Sequence, residues 1–190
     1  MSSLTEPRAQ VNIVGSIDYL QHFEKCNSYF VKYTVKYGEK WKLLNGKPEG
    51  ETFEYVVEND PQLHIGHAID LHFATESIRG WPKIIVEVWV SDQDGRNKIA
   101  GYGMSSLPIV PWKKTSVRVA CWSPRPGMFE RLLGSHPELV HRDILMASQP
   151  RAGLIGKSSG FLTMTFTCFS KDFDIHGVLM GTTNVDINDQ

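Results

Sequence analysis

Cysteine is scarce: Cys26, Cys121 and Cys168 are the 3 in a chain of 190 residues. An odd number without close spacing does not build a disulfide framework, and no Cys-x-x-Cys pair offers a zinc site. Cys121 and Cys168 each sit in an apolar alternating run, where a buried, reduced thiol is expected. A dominant charge sign is also lacking. Lys and Arg number 20 against 21 Asp and Glu, for a formal net charge of -1. This excludes the bulk basicity of a general nucleic-acid binder. No segment approaches the roughly 20 apolar residues of a membrane-spanning helix. The polar stretch Met1–Gln10 has no apolar core of a secretory signal. Ser2 follows Met1, so the glycine that myristoylation needs is missing, and the terminal Asp-Gln is no prenylation signal. An intracellular protein is expected.

Catalytic constellations are lacking as well. There is no Walker motif and no Gly-x-Ser-x-Gly elbow. Gly101-Tyr102-Gly103 lacks the third glycine and the strand-to-helix context of a phosphate loop, so its glycines are read as letting a strand bend or cross closely. The histidines number 7; His67 and His72 fall on opposite faces of one strand, and His64 and His67 lack a third ligand. No cofactor, small-molecule substrate or enzymatic activity is expected.

What is present is alternation. Tyr29, Val31, Tyr33, Val35 and Tyr37 alternate with Lys32, Thr34 and Lys36. The same period holds in Ile69, Leu71 and Phe73, and in Ile84, Val86, Val88 and Val90. It returns in Val117, Val119 and Cys121, and in Leu162, Met164, Phe166 and Cys168. Each run predicts a strand with one buried face. Turns fall at Asn45-Gly46, Arg79-Gly80, Asp94-Gly95 and 153–160, with Asp94-Gly95 a hairpin signal. The pattern predicts an all-β antiparallel sandwich of about eight strands in a single domain. One or two short helices are expected, over 126–135 and 138–147, the first carrying Met128, Phe129, Leu132 and Leu133 on one side. In the tail, Phe173, Ile175 and Val178 are expected to dock on the sandwich.

Two features remain for binding. Asp92 and Asp94, at i and i+2 in a loop, are weak calcium candidates; Arg96 and Lys98 compete with a cation there, and a hairpin turn is the preferred reading. The 5 tryptophans include Trp81-Pro82, Pro111-Trp112 and Trp122-Ser123-Pro124. Such a tryptophan is either a lid on the sandwich end or an exposed anchor. Lys113 and Lys114 follow Trp112 directly, a combination suited to an acidic partner or an anionic membrane. Trp81, Arg96, Lys98, Trp112, Lys113 and Lys114 are therefore the candidate protein or lipid contacts.

The string Ile69-Asp70-Leu71-His72-Phe73-Ala74-Thr75, followed by Gly80-Trp81-Pro82, Val88-Trp89 and Gly101-Tyr102-Gly103, closely resembles the B9 domain family. The resemblance runs from about Val11 to Val178. It implies a C2-like, eight-stranded sandwich over 11–178, between a polar segment 1–10 and a flexible tail 179–190. It further implies a structural component of the ciliary transition zone and basal body, at the cytoskeleton. Such a component acts in the Meckel syndrome (tectonic-like) complex, binds paralogous B9 proteins, and supports ciliogenesis and the ciliary gate. The C2-like fold also carries the alternative of a peripheral lipid-binding module. Calcium does not carry over. Asn27-Ser28-Tyr29 stands where the fold usually has Asp-Pro-Tyr, the loop before it offers Glu24 and Lys25, and so charge-poor a ligand set binds calcium weakly or not at all.

Overall fold

A computed structural model describes residues 8–24, 28–57, 62–91, 95–124 and 156–180. Its regular structure there is all strand: β1 (Ala9–Gln21), β2 (Ser28–Lys36), β3 (Trp41–Gly46), β4 (Glu49–Glu51), β5 (Tyr55–Val56), β6 (Gln62–Thr75), β7 (Lys83–Ser91), β8 (Asn97–Ser106), β9 (Lys114–Pro124) and β10 (Gly156–Lys171). Eight of these are the strands of the expected sandwich. The other two, β4 and β5, are short pieces that pair with the outer edge of β2. The helices expected over 126–135 and 138–147 lie outside the described residues.

Neighbouring strands run antiparallel in the order β3-β6-β1-β10-β9-β8-β7-β2-β4. The path curls into two layers, β3-β6-β1-β10-β9 facing β8-β7-β2-β4. β8 and β9 join the layers through a single pair, Tyr102 opposite Trp122. The alternation explains the layering. Val11, Ile13 and Ile17 of β1, Leu71 and Phe73 of β6, Val86 and Val88 of β7, and Met164, Phe166 and Cys168 of β10 are at most 1% exposed and fill the space between the layers. Burying each large apolar side chain contributes about 1.5–3 kcal/mol. A second cluster, Ile85 and Tyr102 with Ile99, Met104 and Trp122 against them, lies on the outward side of the β7–β8 layer.

The turns sort the loops to two ends. One end gathers the starts of β1, β3, β7 and β9 with the finishes of β2, β6, β8 and β10. There the β2–β3 and β6–β7 turns touch. Gly38 N–H donates to the Gly80 carbonyl at 2.8 Å, and a Cβ on Gly80 would lie 2.5 Å from Gly38 Cα. Gly80 also holds φ +73°, so glycine answers both demands. In the tail, Phe173 is buried and Val178 packs on the core, as expected, whereas Ile175 stays exposed.

Candidate functional site

Leu107–Lys113 connects β8 to β9 at this end. Leu107 is buried and its N–H donates to the Pro82 carbonyl at 3.0 Å, which pins the start of the loop. Pro111 bridges Cys168, and Trp112 N–H donates to the Cys168 carbonyl at 2.8 Å. Trp112 itself sits at φ +62°, a conformation that costs a non-glycine residue about 1–3 kcal/mol. The residue is 72% exposed, and its ring meets Phe169 edge-on with centroids 5.0 Å apart.

Beside that ring the outward face of β6-β1-β10 forms a pocket of about 340 Å³, lined by Gln10, Asn12, His72, Trp112, Phe169 and Lys171 among others. Register brings these residues together. Asn12 of β1 lies opposite His72 of β6 on one side and Phe169 of β10 on the other. Gln10, one outward position along, faces Lys171 and bonds His72 Nε2 through its Oε1 at 3.0 Å. Asn12 Oδ1 is buried with no hydrogen-bond partner. An unsatisfied buried acceptor of this kind costs about 1–3 kcal/mol. Farther along the same face, Asp18 accepts from Ser16 Oγ and Thr165 Oγ1, both at 2.5 Å.

The sequence candidates divide. Lys113 and Lys114 are exposed beside Trp112. Trp81 lies at the same end but is half-buried. Its Nε1–H donates to the Leu107 carbonyl at 3.0 Å, and its ring stands edge-on to Trp41 at 5.0 Å. The lid reading, not the anchor reading, describes its placement. Arg96 and Lys98 belong to the β7–β8 hairpin at the opposite end, separated by the length of β7, roughly 27 Å at the usual rise per residue. Gly95 has φ +74°, as a hairpin turn requires. Asp92 and Asp94 lie outside the described residues. Among the described residues no group of three or more His, Cys, Asp or Glu is placed to hold a metal.

The described thiols are no nucleophiles. Burial pushes Cys121 up to about 12, against a smaller lowering by a backbone hydrogen bond at Leu162, and burial pushes Cys168 up to about 11. Asn12, His72 and Phe169 escaped sequence reasoning, because only strand register joins three positions so far apart in the chain. The one local signal was Asn12, a polar residue in the run from Val11 to Ile13.

The family model described as "Ciliary basal body-associated, B9 protein" matches residues 11–169. B9 domain-containing protein 2 of Bos taurus is 33% identical over 174 residues, covering 90% of this chain and 98% of that protein. The Homo sapiens protein of the same name is 32% identical over 176 residues, with the same coverage. Among solved structures, a C2 domain of plant Extended Synaptotagmin 1 superposes with a TM-score of 0.50 at 11% identity. The match covers 88% of this chain and 98% of that domain, a likeness of fold alone.

Proposed function

The chain belongs to the ciliary basal body-associated B9 protein family, and from that premise we propose that it is a non-enzymatic structural component of the ciliary transition zone. It binds paralogous B9 proteins within the Meckel syndrome (tectonic-like) complex, at the basal body and its cytoskeleton, and supports ciliogenesis and the ciliary gate. The observation that carries this reading is coverage. Similarity extends over 90% of this chain and 98% of the bovine relative, so the whole fold is shared rather than one motif. The exposed Trp112 ring, with Phe169 and Lys171 beside it in the pocket lining, is the kind of surface that suits a binding role. Size-exclusion chromatography with light scattering tests the proposal, on this chain alone and co-expressed with its two B9 paralogues. A stable hetero-complex is expected; a monomer that ignores both paralogues overturns it.

A second reading draws on Trp112, exposed beside Lys113 and Lys114: a calcium-independent peripheral module on an anionic membrane. Flotation with anionic vesicles tests it. Salt-sensitive binding supports this reading, and absence of binding at low salt removes it.

A further inference from the structure

The two layers join through β8 and β9 on one side and stand open on the other, where the sheet path begins at β3 and ends at β4. β3 lies alongside β6 only as far as Gly46, opposite Leu71. There Gly46, at φ +97° and so close to Asp70 that a Cβ would lie 2.2 Å from its carbonyl oxygen, turns the chain out of the lane. Lys47 and Pro48 then cross to β4 in the other layer. Hydrogen bonds fix which backbone groups are left over. Glu76 N–H donates to the Lys40 carbonyl at 3.2 Å, so even-numbered residues along β6 turn their N–H and C=O toward the β3 lane. Past Gly46, those of Ala68 and Asp70 meet no paired strand among the described residues. On β4, Val35 N–H donates to the Pro48 carbonyl at 2.6 Å and Thr52 N–H to the Val31 carbonyl at 2.9 Å. Gly50 therefore faces β2, and Glu49 and Glu51 turn their backbone groups to the open side.

These two edges line one pocket of about 390 Å³, with Tyr33, His67 and Ile69 as its floor. The Tyr33 ring lies 5.7 Å from the His67 ring and against Gly50, where a Cβ would come within 2.6 Å of its hydroxyl. Tyr33 is 7% exposed, and its hydroxyl has no hydrogen-bond partner among the described residues. Unlike Asn12 Oδ1, that hydroxyl is not sealed from solvent. Burial pushes it above its ordinary value of 10.0, so it stays protonated. Around the mouth, Glu51 is engaged by Lys32 at 3.3 Å. Glu49 and Asp70 are exposed with no ion-pair partner among the described residues, against Lys47 as the cation of the lining.

The geometry points to a strand-acceptor slot: a short extended segment of a partner protein, basic on its outer face and carrying a hydroxyl side chain on its inner face, lies between β6 and β4 and closes the open side of the sandwich. The proposal rests on the protein-binding reading above and gives that reading a site and a mode of recognition. Stacked sheets stand about 10 Å apart and paired strands about 4.8 Å, so one strand in the slot reaches both edges. Its main chain bonds Ala68 and Asp70 on one side and Glu49 and Glu51 on the other, and its alternate side chains supply selectivity. An inward threonine or serine reaches the Tyr33 hydroxyl, and outward arginines or lysines answer Glu49 and Asp70. The stretch 67–70 carries neither the proline nor the lysine that commonly guards an edge. An anionic membrane is the poorer fit, because the unpaired carboxylates at the mouth outnumber its cation.

The test uses the full chain, ¹⁵N-labelled, titrated with four capped peptides while the amide signals of Glu49, Glu51, Ala68 and Asp70 and their hydrogen exchange are followed. The peptides are Arg-Thr-Arg-Thr-Arg-Thr, its Glu-Thr and Arg-Val counterparts, and the Arg-Thr peptide N-methylated at each threonine. The Arg-Thr peptide is expected to shift all four signals and to slow their exchange at least about tenfold. The Glu-Thr peptide is expected to bind at least about fivefold more weakly. The N-methylated peptide keeps the charges, loses a row of donors and is expected not to bind. Ala68→Pro removes one edge donor where a strand tolerates proline, and is expected to weaken binding at least about tenfold, with thermal melting verifying its fold. Tyr33→Phe removes a hydroxyl that bonds nothing in the free chain. It is expected to keep its melting temperature and to lose the preference, about threefold to tenfold, for Arg-Thr over Arg-Val. Binding that survives N-methylation, equal affinity for the arginine and glutamate peptides, or a threonine preference unchanged in Tyr33→Phe each overturns the proposal. So does slow exchange of Ala68 and Asp70 in the free chain. Independent of concentration, it means that the chain covers its own edge; rising with concentration, it means that a second copy pairs there. Chromatography with the B9 paralogues, run in parallel, separates the two readings. Peptide binding without a paralogue complex upholds the slot and removes the B9 scaffold. A paralogue complex without peptide binding removes the slot alone.

Discussion

Trp81 and Trp112 stand beside prolines at the same end of the sandwich, and the structure uses them in opposite ways. The Trp81 ring is wedged against Trp41 and the core, its N–H spent on the Leu107 carbonyl. Trp112 is 72% exposed, touches Phe169 edge-on, and sits on a strained backbone. The difference lies in the loops. The Trp81 turn is clasped to the β2–β3 turn through Gly38 and Gly80, whereas the Trp112 loop is held by the backbone of β10 at Cys168, which leaves its side chain outside. One tryptophan closes the fold, and the other is kept available.

Trp81→Ala sharpens that contrast most. Loss of a packed indole is expected to destabilise the chain by about 3–5 kcal/mol, read as a lowered urea midpoint with an unchanged slope. Next comes the core beneath both loops. In a Cys26→Ser chain, Cys121 and Cys168 should react with a thiol reagent at pH 8 about 100-fold or more slowly than in denaturant, because their ordinary value of 9.0 is raised to about 12 and about 11. Both folded values lie above the unfolded one. Their stabilising contribution is therefore complete below about pH 9 and declines as pH rises toward 11–12, which urea melts across that window would register. Gly80→Ala attacks the clasp itself. A Cβ at φ +73° against Gly38 is expected to cost about 1–3 kcal/mol and to shift the Trp81 indole N–H signal, with Trp112 unmoved. Trp112→Gly is the smallest change. Relief of the left-handed strain offsets the lost edge contact, so stability should move by less than about 1 kcal/mol in calorimetry. A loss as large as that of Trp81→Ala would erase the distinction between the loops.

The strands were legible where the alternation is unbroken. β2, β7 and β10 bury the predicted residues Val31, Val86 and Met164. β1 was not legible, although it lies between β6 and β10. Its period slips at the register shift between Ile17 and Tyr19, and Val14 breaks the polarity of its outward face by remaining 40% exposed. Tyr37 shows a different limit. It continues the alternating run, yet β2 ends at Lys36 and the ring turns to meet Phe73 at 5.1 Å. Of the pocket lining, Trp112 was legible from its place beside Pro111, and Lys113 and Lys114 are exposed next to it in the chain. Arg96 and Lys98 looked equivalent to them until topology placed the hairpin at the far end. Asn12, with its partners on two other strands, was hidden because cross-strand neighbours leave no mark in linear order.

The pairing of β1 with β10 has a consequence for synthesis. The first strand of the domain waits for the last, with β6 on one flank and a vacant edge on the other until residues 156–171 leave the ribosome. Throughout translation β1 presents unpaired backbone next to Val11 and Ile13, a surface open to mispairing with another nascent chain. A message truncated anywhere before Gly156 yields no smaller working module. It yields a half-sheet without its central neighbour, and the Cys168 carbonyl that holds Trp112 is never made.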